Sequence, residues 1–194
     1  MIAWIDVETT GLVPEDGSLL EVALLATDDD LNPLDAGVSM LVKPLQSTME
    51  KMDSYVRDMH TKSGLLALLE DNAVLRRYEV EALLITYLKQ HVADPSHPML
   101  LKLPMGGSSV HFDRAWLKVH MPDLEKMFAY RNVDVSTVKE LCQRWAPVVH
   151  DARPRGEPAH RAMLDVVASI DELKHYRKHF IAPREITIIT SSAP

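Results

Sequence analysis

Two carboxylates near the amino end set the chemical problem. Asp6 and Glu8 are separated by one residue in MIAWIDVETTGL, residues 1–12. Ile2, Trp4 and Ile5 suit a buried strand, and Thr9-Thr10-Gly11 suits its break. In an extended chain, side chains two apart point to one face, so Asp6 and Glu8 stand side by side at the strand's end. Like charges held together cost energy unless something positive sits between them. A divalent cation is the usual solution, because hard cations take oxygen ligands. On its own, D-x-E favours a plainer reading, a solvated acidic pair at a strand exit. The decision rests on what the remainder of the chain supplies.

Two further acids and a histidine are candidates. Asp113 follows Gly106-Gly107-Ser108-Ser109 and His111-Phe112, where a flexible turn delivers the chain into a helix running to His120 and stopped by Pro122. A Gly-rich turn before a helix can cradle phosphate, although two glycines are a weak signal. An acid at a helix start also complements the dipole without any other task. His160 and Asp165 are spaced H-x4-D on a long final helix, entered through Glu157-Pro158-Ala159. For His160 the plain alternative is an idle histidine near a helix start.

The elements that must position these groups are readable in outline. Residues 18–29 are apolar and end in an acidic turn, a second strand closed by Asp28, Asp29, Asp30 and Asn32-Pro33. Residues 37–43 form a third strand, which makes an antiparallel meander. Glu21, alone among apolar neighbours in strand two, is read as edge-facing. Residues 48–71 predict two short helices with an elbow at His60-Thr61-Lys62-Ser63-Gly64. Residues 74–92 predict an amphipathic helix with Val80, Leu83, Leu84, Tyr87 and Leu88 on one face, ended by Pro95 and Pro98. Residues 99–105 and 130–135 are the fourth and fifth strands. Ser136 is the expected cap of a helix to about Trp145. Residues 147–158 are expected to form a loop. The final helix carries Met163, Val166, Val167, Ile170, Leu173 and Tyr176 as its apolar stripe. A meander followed by alternating strands and helices argues for a mixed α/β sheet, with ligands bound outside strand ends.

Taken in order, the chain reads D-x-E, then D, then H-x4-D. This pattern resembles the DEDDh 3′→5′ exonucleases, which have the DnaQ-like, ribonuclease H-like fold. Within that group the chain is most similar to the oligoribonucleases. The resemblance is carried by DVETTGL (6–12), MDSYVRDMHTKSGL (52–65), GSSVHFDRAWL (107–117), YRNVDVSTVKEL (130–141) and HRAMLDVVASIDELKHYRKHFI (160–181). It implies a five-stranded mixed sheet flanked by helices and an exonuclease domain over residues 1–181; the tail over 182–194 falls outside it, and the β propensity of ITIIT makes that tail an extra edge strand, a dimer contact or disordered. It implies Asp6, Glu8, Asp113 and Asp165 as ligands of two divalent ions, Mg2+ or Mn2+, and His160 as general base. The physics agrees: four carboxylates would repel a phosphodiester, and two divalent ions cancel them. Such ions sit about 3.5–4 Å apart and activate water. A histidine, with an ordinary pKa of about 6.5, is suited to taking that water's proton.

The remaining matches concern substrate. Leu12 resembles a residue that wedges against the 3′-terminal bases. Tyr55 stands where oligoribonucleases carry tryptophan, and either ring can stack on a base for ~1–3 kcal/mol. His60 resembles a residue at the substrate's end. Ser109 and Phe112, both before Asp113, are further substrate-binding candidates. Arg131, Ser136 and Thr137 resemble residues that cap the substrate's 5′ phosphate across a homodimer, with Tyr130 in that interface. Phe112, where glutamine is usual, and Tyr55 depart from the pattern. The H-F-D run is similar to the proofreading exonucleases, so the preference for very short RNA is open.

Composition narrows the classes. The chain has 194 residues, 46% of them hydrophobic, and a net charge of −7. That suits one domain with a sizeable core. The first hundred residues are strongly acidic, and residues 131–180 slightly basic. A protein that grips long nucleic acid usually shows a basic face. Short single-stranded RNA or DNA, held partly through metal, fits better. No apolar run is long enough for a membrane span. A secretory leader is not expected, since cleavage would remove Asp6. Cys142 is the sole cysteine, so no internal disulfide is possible and a reducing cytoplasm is the expected compartment. The leading expectation is therefore a 3′→5′ exoribonuclease of short oligonucleotides, ending in nucleoside 5′-monophosphates. The alternatives are a single-stranded DNA exonuclease of proofreading type and a non-catalytic nucleic-acid-binding module.

Overall fold

A computed structural model describes residues 1–71, 73–91, 102–154 and 159–181. The first strand, β1 (Ile2–Thr9), pairs antiparallel with β2 (Leu19–Thr27), which pairs antiparallel with β3 (Val38–Leu41). On its other side β1 pairs in parallel with β4 (Leu103–Gly107), and β4 with β5 (Phe128–Asp134). The sheet order is β3-β2-β1-β4-β5, so the mixed five-stranded sheet expected from sequence is observed, with the carboxylate strand at its centre. Asp6 and Glu8 lie in the last residues of β1, at the strand's end.

Both faces of the sheet are covered, and the parity of β1 shows how. Ala3, Ile5 and Val7 pack on one face against Val80 and Leu84 of α4 (Arg77–Gln90) and Trp116 and Leu117 of α5 (His111–His120). Trp4 packs on the other against Val166, Ile170 and Tyr176 of α9 (Ala162–Tyr176), with Ala23 and Leu25 of β2. Each fully buried side chain of this size contributes ~1.5–3 kcal/mol through removal from water. The face that carries Trp4 also carries Asp6 and Glu8. The apolar core thus turns into an acidic site along a single strand.

Several local expectations are corrected. Residues 48–71 break into three pieces: α1 (Gln46–Glu50), α2 (Ser54–Lys62) and α3 (Leu65–Leu68). Asp53 caps α2 by accepting the Tyr55 N–H, and Gly64 turns the chain at φ 75°. His60 therefore belongs to α2, and the elbow is Ser63-Gly64. In α4, Leu83 faces solvent, as does Val167 in α9. Gly106 and Gly107 are in β4, not in a turn. A Cβ on Gly106 would lie 2.8 Å from Ile2 Cγ2 and 3.0 Å from the Trp4 ring, so the glycine permits the close approach of β1 and β4. After α5, Pro122 opens a short helix, α6 (Pro122–Glu125). In α7 (Val135–Trp145) the cap is Asp134, whose carboxylate accepts the Ser136 N–H; Ser136 is already helical. Pro147 then starts α8 (Pro147–Asp151), where a loop is expected. After α9 the chain closes in a π-helical turn over Arg177–Ile181. The expected roles of Pro95 and Pro98, of residues 99–101 and 155–158, and of the tail at 182–194 lie outside the described residues. Among the described residues no helix is long and apolar enough to cross a membrane.

Candidate active site

At the end of β1 the register shifts between Glu8 and Thr9, an irregularity that re-aims the strand's last side chains. Asp113, in the first turn of α5, reaches β1 through its Oδ1, which accepts the Val7 N–H at 3.0 Å. Asp165 is in the first turn of α9, above the same face of the sheet. One ligand atom each of Glu8, His160 and Asp165 lies within 4.8 Å of the other two, a spacing that could hold a metal ion. His160 is not on the helix as expected. It precedes Ala162, the first residue of α9, and has φ 49°, a left-handed conformation that a residue with a Cβ adopts only when its surroundings hold it.

The electrostatics show that the four acids converge. Burial raises the Asp6 carboxyl well above its ordinary range, and the charges of Asp113, Glu8 and Asp165 push it further. Burial raises Glu8 to about 8, reinforced by Asp165, Glu21 and Asp113 and opposed by Arg161. Asp113 rises to about 7 through burial, despite the bond from Val7 N–H. Asp165 is raised by burial, and backbone N–H groups of Ala159, Arg161 and His160 counter part of it. Asp6 and Glu8, whose ionisation the neighbouring acids penalise, mark a site short of positive charge. An all-oxygen acidic set with one histidine fits a hard divalent cation.

Substrate candidates fall into two groups. Tyr55, Asp58, Met59, Lys62, Ser63, Ala159 and His160 line a cleft of about 630 Å³. Tyr55, in the same cleft as His160, is 74% exposed and Leu12, just beyond β1, is 81% exposed, so both present apolar surface to solvent. Phe112 is half-buried and tilts against Trp116 at 6.1 Å between centroids. His60 is fully buried: its Nε2 lies 2.9 Å from the Thr9 carbonyl and its Nδ1 faces Glu8 Oε2 at 3.8 Å. That geometry seats the ring behind Glu8.

The second group gathers at the sheet's β5 edge. Ser109, at φ 56°, donates its N–H to Asp134 Oδ1 and its hydroxyl to Ser136 Oγ, both at 3.0 Å. Ser109, Ser136 and Thr137 line a groove of about 350 Å³ together with His111 and Arg144. Arg131 is exposed on β5, its guanidinium 5.0 Å from the Tyr130 ring centroid. Arg131, Ser136 and Thr137 do not line the cleft beside His160.

Two residues escaped the sequence reading. Asp134 ties the β4–α5 turn to the start of α7; its signal is an Asp one residue before a helix. Glu21 is not edge-facing. It is 2% exposed in an interior strand, paired opposite Glu8 and bonded to Arg161 at 3.0 Å. Its signal is a lone charge in an otherwise apolar strand, which demands a partner.

Comparison with known proteins accords with this geometry. The family model described as Exonuclease (RNase_T) matches residues 3–173. An oligoribonuclease of Tropheryma whipplei is 42% identical over 180 residues, spanning 93% of this chain and 93% of the relative. One of Thiobacillus denitrificans is 41% identical over 180 residues, spanning 93% and 94%. Among solved structures, exonuclease I of Methylocaldum szegediense superposes with a TM-score of 0.64 at 14% identity, over 93% of this chain. The zinc-bound complex of E. coli exonuclease I with single-stranded DNA gives a TM-score of 0.67 at 15% identity, also over 93% of this chain. The chain spans about two fifths of either, 41%, and the likeness shows a shared ribonuclease H-like fold. With two acids on the central strand, two more on helices packed against it, and identity above 40% along nearly its whole length, the chain belongs to the oligoribonuclease family of exonucleases.

Proposed function

We propose that the chain is a 3′→5′ exoribonuclease that degrades short oligonucleotides, down to dinucleotides, to nucleoside 5′-monophosphates. The observation that carries this reading is the clustering of Glu8, Asp165 and His160, with Asp6 in electrostatic reach of Asp113, Glu8 and Asp165, beside the open cleft that His160 shares with Tyr55. The catalytic unit spans residues 1–181, working in the cytoplasm. The four carboxylates would hold two divalent ions, Mg2+ or Mn2+. Bound there, the ions would offset the acids' charge, admit an anionic phosphodiester and make the attacking water easier to deprotonate. His160 accepts that proton at a ring nitrogen, the role an imidazole suits near neutral pH. Tyr55 and Leu12 hold the last bases by stacking and wedging, which tolerates any base. His60, buried behind Glu8, steadies that carboxylate rather than touching the substrate's end.

The active unit of this proposal is a homodimer. Arg131, Ser136 and Thr137 lie apart from the cleft, so they would cap a 5′ phosphate in the partner's site. The test is complementation: Asp6→Ala and Arg131→Ala each lose activity on a dinucleotide, and mixing them restores it. No recovery on mixing would place Arg131 outside any shared site. A second reading, a proofreading-type DNA exonuclease, is favoured by the half-buried Phe112 ring next to Asp113. A 5′-labelled series of two to twenty nucleotides in RNA and DNA decides between them. Fastest turnover is expected for the shortest RNAs, and faster turnover of long DNA would overturn the proposal.

A further inference from the structure

Glu21 sits next to the acidic quartet yet cannot serve as a fifth ligand without giving up a bond. Its Oε1 accepts from Ser39 Oγ at 2.7 Å and Arg161 Nη2 at 3.1 Å. Its Oε2 accepts from Arg161 Nε at 3.0 Å and the Ala162 N–H at 3.1 Å. Each oxygen holds two donors, which uses a carboxylate's ordinary accepting capacity. Glu21 and Glu8 are cross-strand partners on the face that α9 covers. Its charge is therefore balanced by a guanidinium in a two-point, planar contact, the geometry that arginine provides and lysine does not.

The position of the two donors along the chain gives this contact its meaning. Arg161 and Ala162 are the two residues directly after His160. Arg161 is extended, at φ −137° and ψ 117°, and offers α9 no side-chain cap of its own. The Ala162 N–H, an orphan donor at the helix start, is satisfied instead by a carboxylate from β2. One buried side chain thus grips two successive residues next to the left-handed His160. Burial favours a neutral Glu21, but the bonds from Arg161, Ser39 and Ala162 outweigh it and keep the carboxylate charged.

We infer that Glu21 and Arg161 form a latch between β2 and α9 that fixes the His160 ring against the acids, making Glu21 a positioning residue rather than a metal ligand. The inference rests on the reading of His160 as general base. Without the latch, the turn before α9 relaxes from its left-handed conformation and the ring leaves its place beside Glu8 and Asp165. The latch explains how Glu21 stays buried and charged opposite Glu8: a guanidinium is bonded to it at both oxygens.

The test uses the full chain with Mg2+. Glu21→Gln keeps the shape but turns an acceptor into a donor facing Arg161; Arg161→Lys keeps the charge but loses the fork. Both are expected to lower kcat about 10- to 100-fold with little change in KM, the loss typical of supporting groups around a site. In a His160→Ala background the same substitutions cause no further loss, because the group they position is gone. In the metal-free protein, the imidazole NMR signals absent from His160→Ala are expected to shift in Glu21→Gln and Arg161→Lys, while those of the remote His175 stay in place. Should Glu21→Gln fail to fold, Arg161→Lys carries the test, since that side chain is partly exposed. Wild-type kcat in Arg161→Lys, multiplying losses in the His160→Ala background, or unmoved His160 signals would each overturn the latch. Wild-type turnover in His160→Ala would instead sink the base assignment, and the ring signals would still decide the latch.

Discussion

Removing a ligand and removing a base should have different signatures. Asp6→Ala is expected to abolish turnover and weaken Mn2+ binding measured by calorimetry. His160→Ala is expected to cost about 10²–10⁴-fold in kcat while leaving metal affinity near wild type, because a general base contributes on that scale. Unchanged rates in both variants would point to a contaminating nuclease. Glu8 adds a stability prediction. Its carboxyl is raised from an ordinary 4.5 to about 8, so between those values the folded, metal-free protein holds a proton that the unfolded chain has released. Stability of the metal-free form therefore falls as pH rises through that window, and Asp113, raised to about 7, acts in the same direction. Glu8→Gln should flatten the fall and raise the metal-free Tm at pH 8, although it destroys activity. An unaltered slope in thermal melts of Glu8→Gln would show that Glu8 is not the strained group. The types and spacing of these acids were legible in sequence. Glu21 was not correctly read, because its partner Arg161 is 140 residues away and only β1–β2 pairing sets it opposite Glu8.

The elements act as brackets for these groups, and their ends matter more than their middles. Asp134 caps α7 and also holds the Ser109 N–H, so one side chain joins two segments of the proposed phosphate groove. Asp134→Ala is expected to cost about 0.5–2 kcal/mol in urea unfolding, the usual range for a lost cap. It should also raise KM for a 5′-phosphorylated dinucleotide more than for one lacking the phosphate. An equal effect on both would separate the cap from substrate binding. The strand sequence was readable because alternation and apolar runs are local properties. Helix edges were less so: Ser136 and Asp134 both satisfy cap chemistry, and only the fold of the turn decides which carboxyl or hydroxyl reaches the free N–H. Pro147 stops one helix and opens another, which a proline does equally well.

For the whole molecule, the docking of α5 and α9 on the sheet brings Asp113 onto the central strand at Val7 and His160 and Asp165 beside Glu8. Chelating divalent ions should abolish activity, and the Tm gain on adding Mg2+ should be larger at pH 8 than at pH 5, since more carboxylates are charged and unpaired there. A gain independent of pH would argue against ion binding at the raised acids. Sequence alone supplied the candidate acids and the mixed α/β sheet, because residue type, strand alternation and helical periodicity are written locally, and it supplied the family through the resemblance of its motifs. It could not determine that His160 stands outside its helix in a left-handed turn, that His60 is sealed behind Glu8, or that Glu21 faces inward. Those depend on which side chains meet across the sheet, and charge partners remote in sequence become neighbours only when the strands pair and α9 docks on them.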